Sequence, residues 1–511
     1  MQDCPQKRFY RVEDKNNTNM KKSQITILAI VATTLGLSCT AEYGMLPVSE
    51  GNIAGGYYMA EESSPSGDKF DTVKENGFIK AAEQPTSTFS VDADGAAFSY
   101  MRMCINKGRL PDASSVRVEE YLNYFTFDYP DPEGEETVAI NAETGACPWN
   151  PDHRLLRLGL KGKSLKDSEI PAANFIFLVD VSGSMFGADR IDLVKAGLTT
   201  MVDYMKPTDR VAIITYSGSV KKVLESTLVK DAAAIKSAIS TLYASGSTAG
   251  GAAMKMAYEE ALEHYMKGGN NRIIMCTDGD FNVGVSSTEA LVEMVESYLD
   301  KGIYLSIMGF GTGNYQDSRM ESLSNHGNGT YTYIDSEEEM MKVFVLERSR
   351  FYTVATDTKC QVTFRPDAVD SYRLIGYENR MMSEEDFNDD RKDAGEIGAG
   401  QTITALYEIV PAEGYAASAA LATFDVRYKK QAGEDSRPLG LEIAVPAENS
   451  TSANMMLSSG ITAYALCLKN SEYKGESALA LAAELVGKSL SYDPEGFRAR
   501  LVDLINLAGK L

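Results

Sequence analysis

The stretch Phe175-Ile-Phe-Leu-Val-Asp180-Val-Ser182-Gly-Ser184 decides the fold of this chain. Its apolar run, bounded by a turn signal, is typical of a buried parallel strand, so Asp180 is predicted to lie at the carboxyl end of that strand. Ligands of open α/β sheets bind at that edge. One carboxylate and two hydroxyls at positions i, i+2 and i+4 present hard oxygen atoms from one loop. Such oxygens suit Mg²⁺, which prefers oxygen ligands and retains several waters.

Two further segments extend this pattern. Arg272-Ile-Ile-Met-Cys-Thr-Asp278-Gly279 is a second apolar strand that ends in a carboxylate and a turn glycine. Gly246-Ser-Thr248-Ala-Gly-Gly251 is a loop of small residues that opens a helix near Ala252. If the strands are neighbours, each loop supplies an oxygen at the same sheet edge. For the first motif taken by itself, an ordinary Asx or Ser turn leading into a helix remains the alternative.

Together these motifs resemble the metal-ion-dependent adhesion site of von Willebrand factor type A domains. The resemblance implies a metal site formed by Asp180, Ser182, Ser184, Thr248 and Asp278. In such sites the hydroxyls can touch the metal while the aspartates act through water. The implied cofactor is Mg²⁺, with Mn²⁺ or Ca²⁺ as alternatives, and the implied partner is a protein that presents an Asp or Glu carboxylate. The chain departs from many relatives at Gly250, where they carry a second threonine.

The pattern of predicted elements gives the fold class. Strands and helices alternate with short connections over residues 171–345, which predicts a doubly wound, Rossmann-like parallel sheet in an α/β domain. Strand-like segments on both sides, at 137–165 and from about 351 onward, predict a β-rich, sandwich-like region into which this domain is inserted. Amphipathic helices are predicted at 461–468, 478–486 and 497–507.

These patterns divide the chain into a signal region, a flexible linker, an N-terminal α+β region, the type A domain and a C-terminal β-rich plus helical domain. The predicted boundaries are 1–39, 40–84, 85–170, 171–345 and 346–511. Ser87-Thr-Phe-Ser-Val-Asp92, Gly108-Arg-Leu-Pro111 and Val116-Arg-Val-Glu-Glu120 resemble the N-terminal region of a bacterial, YfbK-like family of von Willebrand A proteins. Residues 386–400 resemble the C-terminal domain of the same family.

The amino terminus carries a predicted export signal. Met20-Lys-Lys22 precedes a short apolar run and small residues, which is typical of a secretory signal and too short for a membrane span. Ending in Leu37-Ser38-Cys39, the segment resembles a bacterial lipoprotein signal with Cys39 acylated after cleavage, although Gly36 stands where such signals usually have leucine. A plain secreted protein remains the alternative, and both Met1 and Met20 remain candidate starts. The predicted location is the cell envelope, lipid-anchored, either periplasmic or exposed on the outer membrane.

Composition narrows the function classes. The net charge of −22 argues against nucleic-acid binding, because phosphate contacts need a basic face. Only three histidines are present, so histidine-based catalysis has few candidates. Besides Cys39, the predicted mature chain has five widely spaced cysteines, which are not a disulfide framework, although one bridge among them stays open.

The leading hypothesis is a lipid-anchored, non-enzymatic protein that uses the metal to capture an acidic side chain of a partner protein. An assembly or scaffold factor for an envelope complex is the alternative. A metal-dependent hydrolase is less favoured, because the chain has no Gly-x-Ser-x-Gly elbow, no His-Glu-x-x-His and no phosphate loop.

Other polar segments have two interpretations. Asp92 and Asp94 form either a second cation site or, as we favour, a turn at a strand end. The acidic stretch Asp386-Phe-Asn-Asp-Asp390 with Asp393 binds Ca²⁺ or, as we favour because EF-hand spacing is missing, is a solvated hairpin tip. Asn76-Gly-Phe78 near the end of the linker is either a docking point or a chance aromatic.

Overall fold

The computed structural model describes residue 70 and residues 74–246, 251–279, 288–311, 317–414, 420–431, 433–444 and 451–511. Thr248, Cys39 and the whole predicted signal region lie outside these ranges. Within them, none of the helices combines the length and the apolar character that crossing a bilayer requires. The cysteines in the described ranges are free thiols, so none of them forms the bridge that the sequence left open.

Most of the described chain is strand and helix. The strands are β1 (Ile79–Lys80), β2 (Thr86–Ser90), β3 (Val138–Ala146), β4 (Arg154–Gly162), β5 (Ala173–Asp180), β6 (Arg210–Tyr216), β7 (Val220–Leu228), β8 (Asn270–Thr277), β9 (Ile303–Phe310), β10 (Tyr331–Ile334), β11 (Thr353–Phe364), β12 (Val369–Ile375), β13 (Met381–Met382), β14 (Gly395–Gly398), β15 (Thr402–Pro411), β16 (Ala420–Lys429) and β17 (Arg437–Ala444). The α-helices are α1 (Ala96–Asn106), α2 (Val118–Asn123), α3 (Ile191–Tyr204), α4 (Ala232–Ser240), α5 (Gly251–Glu263), α6 (Thr288–Glu296), α7 (Asp317–Asn325), α8 (Glu337–Met341), α9 (Glu384–Asn388), α10 (Ala453–Lys469), α11 (Leu479–Lys488) and α12 (Phe497–Ala508).

The central α/β sheet has the strand order β10-β9-β8-β5-β6-β7. Side chains of β5 alternate between its two faces, so Phe175 and Phe177 pack against α3 and α4 while Ile176 and Leu178 pack against α5, α6 and α7. Helices on both faces confirm the predicted doubly wound α/β fold. The chain continues from β5 to β6 on one side and later crosses to β8 on the other. The carboxyl ends of β5 and β8 therefore lie at the point where the strand order reverses.

One strand corrects the prediction of an all-parallel sheet. β7 runs antiparallel to β6, while the other neighbouring pairs of this sheet are parallel. Only residues 217–219 connect β6 to β7. A connection of this length can form a hairpin, whereas a parallel return needs a crossover of a dozen residues or so.

The predicted β-rich flanking region is present as two antiparallel sheets, with orders β1-β12-β15-β4-β3 and β13-β2-β11-β16-β17. Apolar side chains from both sheets, including Phe89, Leu158, Val362 and Tyr407, form one core, as in a sandwich. Strands β1–β4 precede the α/β domain in sequence and β11–β17 follow it. The α/β domain is thus inserted between β4 and β11.

The three predicted C-terminal helices correspond to α10, α11 and α12, and α10 begins eight residues earlier than expected. They pack against α1 and α2 and bury Tyr121, Trp149 and Tyr464 in a common core. Ser452 begins α10 by accepting a hydrogen bond on its hydroxyl from the Met455 N–H, which is a typical N-terminal cap.

The predicted linker, 40–84, is too long at its C-terminal end. β1 pairs with β12, and the Asn76 side-chain amide donates to the carbonyl oxygens of Leu374 and Gly376. The Phe78 ring packs edge-on against His153 and Tyr473. Asn76-Gly-Phe78 is therefore a docking point, and the chain contacts the folded body from Asn76 at the latest.

β11 and β17 also differ from expectation. The sequence predicted two strands at 352–355 and 361–364, but β11 is one strand whose pairing with β16 shifts register between Thr356 and Lys359. This bulge breaks the apolar alternation that the prediction relied on. β17 was missed because it is a mostly exposed edge strand with few apolar positions.

Candidate metal centre

The Asp-x-Ser-x-Ser motif begins where the buried strand β5 ends. The Asp180 carboxylate oxygen Oδ1 accepts a hydrogen bond from the Ser182 N–H at 2.8 Å, which closes an Asx turn. The hydroxyl oxygens of Ser182 and Ser184 lie 2.9 Å apart. Met185, which is fully buried, anchors the following single turn of 3₁₀ helix. The motif thus presents two adjacent hydroxyls beside a buried carboxylate.

The second carboxylate comes from the neighbouring strand. β5 and β8 are parallel and in register, with Val179 opposite Cys276, so Asp180 and Asp278 reach the same edge of the sheet. The Thr277 hydroxyl lies 3.5 Å from Asp180 Oδ2 and accepts from the Gly279 N–H at 3.2 Å. Gly279 has a φ of +93°, a left-handed conformation that explains the turn glycine after the aspartate.

The third loop is described up to Gly246. The Gly246 carbonyl accepts from the Gly183 N–H at 2.9 Å, and the Val181 carbonyl accepts from the Ser245 N–H at 2.6 Å. These two bonds join the third loop to the serine loop. Thr248 itself lies outside the described residues, so its role as a ligand stays a prediction.

The electrostatics of the edge favour a cation. Burial raises the pKa of Asp180 to about 7, and the charge of Asp278 contributes to this rise. Hydrogen bonds from Ser182 and Tyr216 act in the opposite direction and lower the same pKa. A divalent cation at this edge would offset both the burial and the mutual repulsion of the two carboxylates.

The donor chemistry fits the group that the sequence implies. Asp180, Ser182, Ser184 and Asp278 offer only carboxylate and hydroxyl oxygens, which are the ligands of hard cations such as Mg²⁺. The structure brings these four predicted residues to one edge. Sequence reasoning missed Tyr216, which contacts the Asp180 carboxylate from the end of β6; the signal was available, because that strand ends at the same edge.

Acidic residues outside this edge form ion pairs with arginine side chains of the protein itself. The Arg380 guanidinium lies 2.8 Å from an Asp92 carboxylate oxygen and 3.6 Å from one of Asp94, and Asp94 also accepts from the Tyr331 N–H at 2.8 Å. The favoured interpretation of Asp92 and Asp94 as a simple turn was therefore incomplete, because they form a buried ion-pair site.

The favoured solvated hairpin tip at Asp386 is wrong. This segment contains the short helix α9, which Ser383 begins with a capping box. Asp389 pairs with Arg391, and Asp390 pairs with Arg427 and accepts from the Ser436 hydroxyl. Asp389 and Asp390 are thus paired with arginines, and Asp386 accepts a hydrogen bond from the Ser383 N–H at the start of α9.

One further cluster in the described ranges has the spacing of a metal site. Glu260, Glu263 and His264 lie on α5 with ligand atoms within 4.8 Å of one another. The Lys222 ammonium already contacts the buried Glu260 carboxylate at 2.6 Å, and the Ser226 N–H donates to it at 3.1 Å. The carboxylate is therefore neutralised by the strand next to it.

Family comparisons agree with this architecture. Residues 174–345 match the model described as von Willebrand factor type A domain, residues 64–157 match the one described as von Willebrand factor, and residues 349–511 match the one described as uncharacterized protein YfbK, C-terminal. Von Willebrand factor type A domains typically mediate protein–protein interaction or adhesion and commonly bind a divalent metal.

Two similar sequences and one similar solved structure follow. The uncharacterized protein YfbK of Escherichia coli (strain K12) is 36% identical over 476 residues, which cover 87% of this chain and 82% of that protein. Inter-alpha-trypsin inhibitor heavy chain H3 of Pongo abelii is 29% identical over 178 residues, 33% of this chain and 20% of that protein. The solved structure of a von Willebrand factor type A protein from Catenulispora acidiphila is 15% identical and covers 70% of this chain and 87% of its own, at a TM-score of 0.42.

Proposed function

The chain belongs to the YfbK family of proteins with a von Willebrand factor type A domain, and from this membership we propose that it captures an acidic group of a partner protein through a divalent metal ion. Proteins of this kind are generally non-enzymatic binding or scaffold proteins. The observation that carries the proposal is the pair of serine hydroxyls, 2.9 Å apart, beside Asp180 at the reversal point of the sheet.

The residues of this edge have separate roles in the proposal. Ser182 and Ser184 would hold the metal directly, together with Thr248, while Asp180 and Asp278 would orient its waters. A bound Mg²⁺ with neutral hydroxyl ligands would retain a strong attraction for an incoming carboxylate, because few of its own ligands carry charge. Ser182 is buried and Ser184 is exposed, so the hydroxyl pair reaches from the protein interior to solvent. An external carboxylate can therefore approach from the Ser184 side.

The first experiment tests whether peptide binding requires the metal in a protein that remains folded. We expect purified protein to bind Mn²⁺, measured by electron paramagnetic resonance, and to bind a short end-blocked peptide with a central aspartate only when Mg²⁺ or Mn²⁺ is present. EDTA and Asp180→Ala should each abolish peptide binding while the circular dichroism spectrum stays unchanged. Asp189→Asn is the matched control, because Asp189 is an exposed carboxylate on the same loop.

Three results would contradict the proposal. Peptide binding that persists in EDTA would show that no metal bridge is involved, and metal-independent capture of protein partners would favour the scaffold alternative. Metal-dependent turnover of a substrate that is lost in Asp278→Ala would favour the hydrolase alternative.

We also propose that the protein is exported and anchored by a lipid on Cys39. The proposal is supported by the basic, apolar and small-residue order of the segment that precedes this cysteine. Labelled fatty acid should be incorporated into the wild-type protein and not into Cys39→Ser, and the wild-type protein should fractionate with membranes. Incorporation of labelled fatty acid that persists in Cys39→Ser would exclude Cys39 as the site of lipid attachment.

A further inference from the structure

The metal-centre edge carries two unusually exposed aromatic side chains. Phe186 and Tyr243 are each 68% exposed, which makes them the most exposed of the large apolar side chains in the described part of the chain. Phe186 follows Ser184 by two residues, and Tyr243 precedes Gly246 by three. Apolar groups that remain exposed in this way mark interaction surfaces when they occur together at one site.

The backbone around both rings is fixed by buried neighbours. Met185 is 0% exposed and precedes Phe186, and Tyr243 lies between Leu242 and Ala244, which are 4% and 5% exposed. Because its neighbours are held in the core below β5, each aromatic residue projects outward from a rigid backbone. Rigid presentation lowers the entropic cost of binding a partner.

The two loops that carry these rings are joined at the metal centre. The Gly183 N–H donates to the Gly246 carbonyl, and the Ser245 N–H donates to the Val181 carbonyl. Phe186 and Tyr243 therefore lie on two adjacent, hydrogen-bonded loops, one of which also carries the exposed Ser184.

This surface carries little charge of its own. Residues 181–190, 217–219 and 242–246 carry two charged side chains, Asp189 and Arg190, which lie 3.8 Å apart. The other two carboxylates that the metal centre places at this edge, Asp180 and Asp278, are buried. The chain as a whole has a net charge of −22, so a nearly neutral edge is where an acidic partner meets the least repulsion.

We infer that the partner segment is an aspartate or glutamate flanked by apolar side chains in an exposed stretch of another protein, with Phe186 and Tyr243 selecting the apolar flanks. The inference rests on the proposed function, since the metal holds the carboxylate. Aromatic residues are enriched among the side chains that dominate interface affinity. The two rings supply the specificity that a metal–carboxylate bond lacks, because that bond accepts any accessible acid.

Two end-blocked peptides test the inference: Gly-Leu-Asp-Phe-Gly, in which the acid has apolar flanks, and Gly-Ser-Asp-Ser-Gly, in which it does not. Their affinities for the wild-type protein are measured by NMR titration in saturating Mg²⁺. We expect the first peptide to bind about tenfold more tightly or better, as is typical of contacts to exposed aromatic anchors. Phe186→Ser and Tyr243→Ser should each reduce this preference severalfold, and the double variant should remove it.

A matched control uses Tyr204→Ser. Tyr204 is 47% exposed at the end of α3, away from the loops that follow β5, and this variant should keep the wild-type preference. Mn²⁺ binding, read by electron paramagnetic resonance, is measured for each variant. It shows whether the metal centre of that variant is intact.

The outcomes separate the inference from the function on which it rests. Absence of Mn²⁺ binding by the wild-type protein would overturn both. Normal Mn²⁺ binding with equal affinity for the two peptides, or with a preference that survives in the double variant, would overturn the inference alone. Normal Mn²⁺ binding with no affinity for either peptide would overturn the proposed capture of a carboxylate as well. Metal-dependent self-association of the wild-type protein that Phe186→Ser abolishes would identify a second copy of this chain as the occupant and overturn the assignment to another protein.

Discussion

Two groups of buried carboxylates in this molecule differ in what neutralises them. At the metal centre, Asp180 receives its hydrogen bonds from neutral groups, including the Ser182 N–H and the Thr277 hydroxyl. Where α7 of the α/β domain meets the N-terminal region, Asp92 and Asp94 instead face the Arg380 guanidinium. In the first arrangement the hydrogen-bond donors to the carboxylate are neutral, whereas in the second the protein supplies the cation.

The second set of carboxylates, which pair with arginines and are called the arginine-served group, extends along α7. Arg117 contacts Glu120 at 2.7 Å and Glu321 at 2.9 Å, and it also pairs with Asp317. Burial is the main cause that raises the pKa of Glu120, to about 7, and charge on Arg117 opposes that rise. These pairs tie α7 to the N-terminal region. The comparison shows that acidic residues alone do not identify a cation site, because the donors around them decide its use.

The largest expected effect is on the arginine-served group. Arg380→Met should lower the free energy of unfolding by about 3–5 kcal/mol, because it leaves buried carboxylates without their cation. Urea unfolding measures the loss. Arg391→Met is the control, since Arg391 pairs with Asp389 at the surface and exposed pairs contribute about 0–1 kcal/mol. Equal losses in the two variants would remove the distinction between buried and exposed pairs.

At the candidate metal centre, by contrast, we expect a gain in stability when the metal binds. At a Mg²⁺ concentration of about 100 times its dissociation constant, the wild-type protein should gain about 2.7 kcal/mol of unfolding free energy. Asp180→Asn should lose this gain, because it removes the carboxylate that we propose orients the metal's waters, while Asp189→Asn should keep it. The measurement is thermal unfolding with and without Mg²⁺. Full stabilisation of Asp180→Asn would contradict the assignment of the site.

A pH-dependent effect is expected from a further buried carboxylate, Glu119, near the arginine-served group. Burial, together with the charges of Glu378 and Asp92, raises the pKa of Glu119 from 4.5 to about 8. The folded protein then binds more protons than the unfolded chain between these values, so stability falls as pH rises through that window. Glu119→Gln should remove up to about 1.4 kcal/mol of this loss per pH unit.

The pH experiment compares urea unfolding of the wild-type protein and Glu119→Gln from pH 5 to about pH 8, over the window that the pKa of Glu119 defines. The variant should be more stable than the wild-type protein at the upper end of the range and similar to it at the lower end. Glu133→Gln, at an exposed position, should follow the wild-type curve. If the unfolding free energies of Glu119→Gln and the wild-type protein changed with pH in parallel, Glu119 would ionise at the same pH in the folded and unfolded protein.

The smallest expected effect concerns an exposed hydroxyl of the metal centre. Ser184→Ala should change the unfolding free energy of the metal-free protein by about 0.5 kcal/mol or less, as for most surface substitutions. It should weaken Mn²⁺ binding about tenfold, which corresponds to about 1.4 kcal/mol. Electron paramagnetic resonance measures the affinity. Unchanged Mn²⁺ affinity would exclude the Ser184 hydroxyl from the ligand set.

The sequence predicted the α/β fold well, because a buried parallel strand such as β5 has a continuous apolar run that needs no knowledge of its neighbours. It also predicted that Asp180 and Asp278 would share an edge, since both follow such strands. The antiparallel β7 was missed, although the short 217–219 connection contained the signal. The exposed edge strand β17 had no such signal, because little of it faces the core.

Local order along the chain fixed the α/β domain and the Asp-x-Ser-x-Ser turn. Tertiary structure alone decided which carboxylates carry a cation of their own: Arg380 reaches Asp92 from 288 positions away. It also decided that Phe186 and Tyr243 would remain in solvent beside the serine hydroxyls. The physical reason is that strand periodicity and turn chemistry act over a few residues, whereas burial and charge pairing depend on which distant segments the folded chain brings together.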